Sequence, residues 1–378
     1  MRKQWEQIQG IYIHIPFCMQ KCLYCDFASF AGKSGLMHQY ALALANEIRS
    51  RAGEMPISER ATVFFGGGTP SLLPIDDLKM IINALKETGL WRAPAEVTME
   101  MNPGTVDFDK LCQYQEMGID RVSFGVQSLN DKELKTIGRL HAASEALQAI
   151  EQASKAGFER ISADLIYGLP TQTLATFKDT LAAIVASAIS HLSVYGLTVE
   201  EETPLATLLA NGSLVLPSEE EAEMMYDHTI SYLEERGLHR YEISNFARTG
   251  QESLHNLVYW HYLPYYGFGS AACSYDGKRR MTNAEDIESY IRGAAPTIEQ
   301  LPSRTSLAEF MFLGLRTSEG IDLSVAKDRF GVDVMAMFGQ EIEKYINKEM
   351  LSFDQAANNL KLTKLGMKFG NEIFELFL

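Results

Sequence analysis

Between residues 10 and 200 the hydrophobic pattern alternates six times between a short β-rich run and a helical stretch, and nothing else in the chain restricts its fold as tightly. The β-rich runs cover residues 11–16, 62–65, 96–101, 121–125, 161–166 and 191–197. Between them lie MHQYALALANEIRSRA, IDDLKMIINALKETG, FDKLCQYQEMG and SEALQAIEQASKAG. Apolar residues recur in these at helical spacing, and three of the four finish near a glycine. Strand and helix in repeated alternation predict parallel strands joined by right-handed crossovers, as an open sheet or a partial barrel. In either form ligands sit at the C-terminal ends of the strands. The loops at those ends read CMQKCLYC, GGGTPS, NPG, VQS and YGLPTQ, while the opposite loops are plainer. That asymmetry predicts a functional face.

The pattern changes near residue 203. LPSEEEAEMMYDHTISYLEERG predicts a helix capped by Ser218, with acidic residues in its first turn favouring the helix dipole. YEISNFAR and the aromatic-rich LHNLVYWHYLPYYGFGSAACSYDG follow, and after about residue 300 the pattern suggests a compact helical module of winged-helix type. The expected organisation is three segments, 1–202, 203–300 and 301–378. The net charge of −15 argues against a nucleic-acid groove, which needs a basic footprint. The first residues lack the apolar core of a signal peptide, and no window approaches 18 uninterrupted apolar residues. The expectation is a cytoplasmic protein with reduced thiols, so its five cysteines point to metal or catalysis and not to disulfides.

Three of those cysteines, Cys18, Cys22 and Cys25, have the spacing C-x3-C-x2-C in the loop after the first strand. Thiolates so spaced can converge on one small inorganic centre. A structural zinc site wants four ligands, and no second pair is evident, since Cys112 falls mid-helix and Cys273 is remote. A [4Fe–4S] cluster held by three cysteines leaves one iron open to another ligand. Zinc and three unrelated buried thiols are the competing readings.

The motif, sharpened by its flanks YIHIPFC and YCDF, resembles the radical S-adenosylmethionine (SAM) superfamily, in its coproporphyrinogen III oxidase branch. The resemblance implies a [4Fe–4S] cluster on Cys18, Cys22 and Cys25 whose open iron chelates SAM. It also implies a partial (β/α)6 barrel followed by a C-terminal α+β domain that ends in the small winged-helix-like module. Positions matching the family's SAM site are Tyr12, Tyr24, Gly67, Gly68, Thr69, Glu100, Gln127, Arg139, Asp164 and Thr198. These residue types suit such a ligand. Strand-end carboxylates can take ribose hydroxyls, an arginine can hold a carboxylate, and glycines let backbone approach closely. Taken singly, GGGTP is an ordinary tight turn and each polar residue an ordinary cap or surface group.

Two departures separate the chain from true oxygen-independent coproporphyrinogen oxidases. Those carry a fourth cysteine where this sequence has Phe27, and a long segment before the first strand where this one has about ten residues. His255, Asn256, Tyr259 and Trp260, in H-N-x-x-Y-W, resemble instead the haem chaperones of HemW type, in which the motif is associated with haem binding. An imidazole can ligate haem iron while Trp and Tyr face the porphyrin. The competing reading is a hydrogen-bonded core histidine in an aromatic cluster, with His261 as an alternative ligand. Cys273 stands where many relatives have histidine, and reads as a small buried hydrophobe or an iron ligand. Cys112 reads as core.

The resemblance covers nearly the whole chain, most strongly 11–200 and 241–270. It implies a haem chaperone of porphyrin metabolism that binds a [4Fe–4S] cluster, SAM and haem as cargo. Its implied partners are an acceptor haemoprotein and an electron donor, with a homodimer left open and no nucleic acid or membrane span. The alternatives are a radical-SAM oxidase or decarboxylase acting on coproporphyrinogen III or another small substrate, and a radical-SAM methyltransferase. No residue is assigned a catalytic role.

Overall fold

A computed structural model describes residues 3–378. All six expected strands are present: β1 Ile8–Ile15, β2 Ile57–Gly67, β3 Val97–Met101, β4 Arg121–Gln127, β5 Arg160–Tyr167 and β6 His191–Gly196. Each pairs in parallel with the next, so spatial order follows chain order. The crossovers carry helices α1 Met37–Arg51, α2 Ile75–Glu87, α3 Phe108–Met117, α4 Ala143–Lys155 and α5 Leu174–Val185. The last of these was not singled out in the sequence; Thr173 caps it, accepting from the Thr176 N–H.

The two faces of the strands differ in chemistry. Ile11, Ile13, Ile15, Val63, Phe65, Val97, Met99, Val122, Phe124, Ile161, Ala163, Leu165, Leu192 and Val194 are buried in one core with Leu44, Ile48, Ile81, Leu85, Leu111, Ile150 and Leu181 of the helices. The alternate residues include Tyr12, His14, Thr62, Thr98, Glu100, Arg121, Ser123, Ser162, Asp164, His191 and Ser193. Parallel strands buried on both faces normally read as near-continuous apolar runs. Here the period of two puts the apolar set under the helices and leaves a polar lumen.

Residues 203–300 continue this sheet at both ends. Tyr265–Phe268 runs parallel to β1, and Asn245–Ala247 runs antiparallel to β6. Among the described residues twelve strands form one sheet, with Thr297–Gln300 at one end and His239–Arg240 at the other. Those ends do not pair, so the barrel is partial. Met225, Phe246, Phe268 and Tyr290 share the barrel core, whereas Tyr262 and Tyr275 pack with the C-terminal module. The predicted helix is Glu219–Glu234, and Ser218 caps it by accepting from the Glu221 N–H at 3.1 Å.

The C-terminal module is richer in strand than the sequence pattern suggested. Helix Ser303–Leu315, strand Ile321–Asp322, helices Leu323–Phe330 and Val334–Asn347, and strands Leu351–Asp354 and Asn359–Leu362 follow in turn. The third strand pairs with both others, which is a winged-helix arrangement. Met311, Leu315, Ile342, Leu360 and Ile373 form its core.

Gly267 shows how closely the added strands sit. A Cβ there would lie 2.1 Å from the Cys273 carbonyl oxygen, inside the neighbouring hairpin strand. Gly267→Ala should therefore lower the thermal midpoint and cost about 1–3 kcal/mol or more as overpacking. Gly35→Ala, which meets nothing within 4 Å, should change stability by less than about 0.5 kcal/mol. Denaturant unfolding of both variants checks the pair.

Candidate functional site

A cavity of about 330 Å³ opens at the C-terminal ends of the strands. Cys18, Cys22 and Cys25 all line it, and none is in a disulfide. Their loop is fixed from several sides: Phe30 N–H donates to the Pro16 carbonyl at 2.7 Å, Leu23 N–H to Ile137 at 3.0 Å, and Leu205 N–H to Leu23 at 2.9 Å. Among the described residues no three His, Cys, Asp or Glu side chains lie close enough to share one metal ion. Three thiols lining one cavity can hold three irons of one cluster and leave the fourth open.

The second loop approaches the cysteines closely. A Cβ on Gly68 would lie 2.7 Å from the Phe17 carbonyl oxygen and 3.0 Å from Cys18 Sγ, so only glycine fits. Thr69 Oγ1 points at Cys18 Sγ from 3.8 Å, and Arg139 Nη1 at Cys22 Sγ from 3.5 Å. Burial pushes the Cys25 thiol up, partly offset by hydrogen bonds from the Phe27 backbone and the Ser29 side chain.

Of the residues matched to the SAM pattern, Tyr24, Gly67, Gly68, Thr69, Glu100, Gln127, Arg139 and Asp164 line this cavity together. Tyr12 lies behind the wall, its hydroxyl 2.9 Å from His14 Nδ1. Thr198 lies beyond the end of β6 and is not part of the wall. Gln127 is aimed inward by a left-handed backbone, φ 68°, at a bulge between Gly125 and itself. Ser123 also lines the cavity and donates to Asp164 at 3.3 Å. Its signal was present, since it is the inward residue between Arg121 and Gly125. His141 lines the cavity too, and no motif marked it.

Two carboxylates stand at the floor of the cavity. Burial pushes Glu100 up to about 8, with the Asp164 charge adding to the shift and the Gly67 N–H at 3.1 Å opposing it. Burial also raises Asp164, against hydrogen bonds from Ser193 and Ser123 and the nearby guanidiniums of Arg121 and Arg139. This floor can accept hydroxyl or ammonium donors of a ligand.

The aromatic motif is not on this cavity. His255 is fully buried. Its Nδ1 meets Thr62 Oγ1 at 2.7 Å and its Nε2 meets the Tyr259 hydroxyl at 2.8 Å. Its ring stacks on Phe64 with centroids 5.0 Å apart. Burial lowers its pKa to about 4, so it is neutral at pH 7. Both nitrogens are in use, and in this arrangement His255 is a hydrogen-bonded core histidine with no free lone pair for an iron. Asn256 takes the Ser253 cap through its N–H, and Trp260 lies under the Arg316 guanidinium at 4.7 Å. His261 keeps a partly exposed side chain, 3.7 Å from Glu319. Cys273 points its thiol at the Ser274 carbonyl, and Cys112 packs at the edge of the barrel core.

The Radical SAM superfamily model matches residues 12–184, and the HemN C-terminal domain model matches residues 301–369. Over 98% of its length the chain is 34% identical to "Heme chaperone HemW" of Bacillus subtilis, covering 99% of that protein. The chain belongs to the HemW family of the radical SAM superfamily. It is also 40% identical to the "Heme chaperone HemW" of Synechocystis, over 82% of this chain and 78% of the relative. The solved structure of coproporphyrinogen III oxidase (HemN) from Escherichia coli shares the fold, with a TM-score of 0.84 at 22% identity, covering all of this chain and 91% of that one.

The raised carboxylates give the ligand-free HemW-family chain a distinctive stability profile. Glu100 keeps its proton in the folded state up to about pH 8 but loses it near its ordinary value when unfolded. The folded state therefore holds the extra proton in that window, and stability falls as pH rises through it, by roughly 1.4 kcal/mol per unit. Glu100→Gln should flatten the decline of the thermal midpoint between pH 5 and about 8, read by calorimetry on cluster-free, SAM-free protein.

Proposed function

We propose that this HemW-family protein binds a [4Fe–4S] cluster, SAM and haem, and delivers haem to an acceptor haemoprotein in the cytoplasm. Cys18, Cys22 and Cys25 would hold the cluster, and the Gly67–Thr69 backbone with Glu100, Gln127, Arg139 and Asp164 would hold SAM. When bound, the cluster and SAM together supply one-electron chemistry at a sulfonium. The chain's own residues position that pair: Arg139 and Thr69 face the thiols, and the paired carboxylates receive polar donors at the floor.

What carries the chaperone reading over the oxidase reading is the 34% identity, across 98% of the chain, to a protein named as a haem chaperone. Among the described residues no helix is long and apolar enough to cross a membrane.

Anaerobic reconstitution tests the reading. The protein should take up about four irons and four sulfides per chain and change its EPR spectrum when SAM is added, and Cys22→Ala should lose both. Added haem should give a saturable Soret shift. Absence of that shift would remove the chaperone reading, and decarboxylation of coproporphyrinogen III would install the oxidase in its place.

A further inference from the structure

Two side chains from the loop just before α4 hold the turn on which Gln127 is displayed. Arg139 Nη2 donates to the Gly125 carbonyl, and His141 Nε2 meets the Val126 carbonyl at 3.2 Å. The Val126 carbonyl also accepts from the Ser128 N–H at 2.9 Å, which closes a three-residue turn with Gln127 at its apex. Ser128 Oγ in turn donates to the buried Glu133 carboxylate at 2.6 Å. A glutamine at φ 68° is strained, and such a conformation persists only where its surroundings over-determine it. Gln127 is registered with Leu165, a residue of the barrel core, and still lines the cavity.

The chemistry of His141 fits a holding role. The side chain is buried, and a carbonyl oxygen can only accept, so Nε2 carries the ring hydrogen. Burial and the neighbouring Arg139 guanidinium lower its pKa to about 4, so at pH 7 the ring is neutral and adds no second cation beside Arg139. Among the described residues Nδ1 has no partner, which leaves the contact with Val126 as the ring's one hydrogen bond. Arg139 divides its guanidinium between the Gly125 carbonyl and Cys22 Sγ. A Cβ on Gly125 would lie 3.1 Å from Gln127 Nε2 and 3.3 Å from Arg139 Nη2, so both side chains converge over one glycine at the cavity wall.

On the reading that this cavity takes SAM, we propose that His141 is a positioning residue for it: by donating to the Val126 carbonyl it holds the turn that carries Gln127, and so sets where the Gln127 amide meets the ligand. His141 acts through Gln127 and makes no contact with SAM of its own. Without the imidazole the Val126 carbonyl is left to the Ser128 N–H alone. The left-handed conformation then loses one of the contacts that offset its strain, and Gln127 spends part of its time at negative φ with its amide off the wall. Residues that act through one another are coupled energetically, and a double-mutant cycle reads that coupling.

The experiment measures SAM affinity by calorimetry on cluster-loaded protein kept oxidised, with no reductant, so that SAM binds without being cleaved. Gln127→Ala and His141→Leu should each weaken SAM about tenfold, the scale of one hydrogen bond to a charged ligand. The double variant should bind no more weakly than Gln127→Ala alone. His141→Gln, which keeps an N–H donor at the same reach, should bind within about twofold of wild type. If His141→Leu does not fold, His141→Asn, too short to reach Val126, takes its place in the cycle. Additive losses in the double variant overturn the proposal, since His141 then acts without Gln127. So does His141→Gln binding as weakly as His141→Leu, which would mean that Nδ1 touches the ligand itself, and so does wild-type affinity in His141→Leu. A wild type that binds no SAM removes the SAM reading instead, and amide hydrogen exchange on cluster-free protein then judges the turn. The Ser128 N–H should exchange about tenfold faster in His141→Leu than in wild type and return to the wild-type rate in His141→Gln. Equal exchange in all three overturns the holding role.

Discussion

The carboxylate of Glu96 sits fully buried at the end of the barrel away from the cysteines, where it accepts from Arg160 at 2.6 Å and from two backbone N–H groups of the Leu254–Trp260 helix. Burial alone would raise its pKa, but the Arg121 and Arg160 guanidiniums and those N–H groups outweigh it and hold the carboxylate below its ordinary value. A buried charge survives only when it is paired and hydrogen-bonded on every side, and breaking one member costs far more than the pair contributes. Arg160 extends the same node by donating to the Glu252 carbonyl at 2.8 Å. One carboxylate thus ties β3, β5 and the start of the aromatic motif together, and the later half of the chain is registered on the earlier half through it.

From that node upward the lumen is layered. Thr98 and Arg121 are register partners on β3 and β4, and further along the same pair of strands lie Glu100 and Ser123, also partners. Arg121 is almost fully buried with its Nε lacking a partner, and Thr98 Oγ1 lacks one too. Its charge is shared at a distance between Glu96 below and the Glu100 and Asp164 carboxylates above. Only the upper layer, Glu100 with Ser123 and Asp164, reaches the cavity, where two carboxylates held above their ordinary range suit a ligand that brings donors.

The six strands and most of their crossover helices were legible because both periods were intact, and the inward residues of each strand were polar enough to break an apolar run. The cysteine loop was legible because spacing alone brings three thiols to one strand end. The haem motif was legible as a pattern but not as a geometry. His255 is held by Thr62, 193 residues away, and by a Phe64 that any strand could carry. Nothing local distinguishes a histidine with both nitrogens in use from one with a free lone pair. The strands flanking the barrel escaped for a different reason: Asn245–Ala247 and Tyr265–Phe268 are three and four residues long, too short to display a period. Thr198 was matched by spacing across the loop that follows β6, and spacing ceases to predict position once a strand has ended.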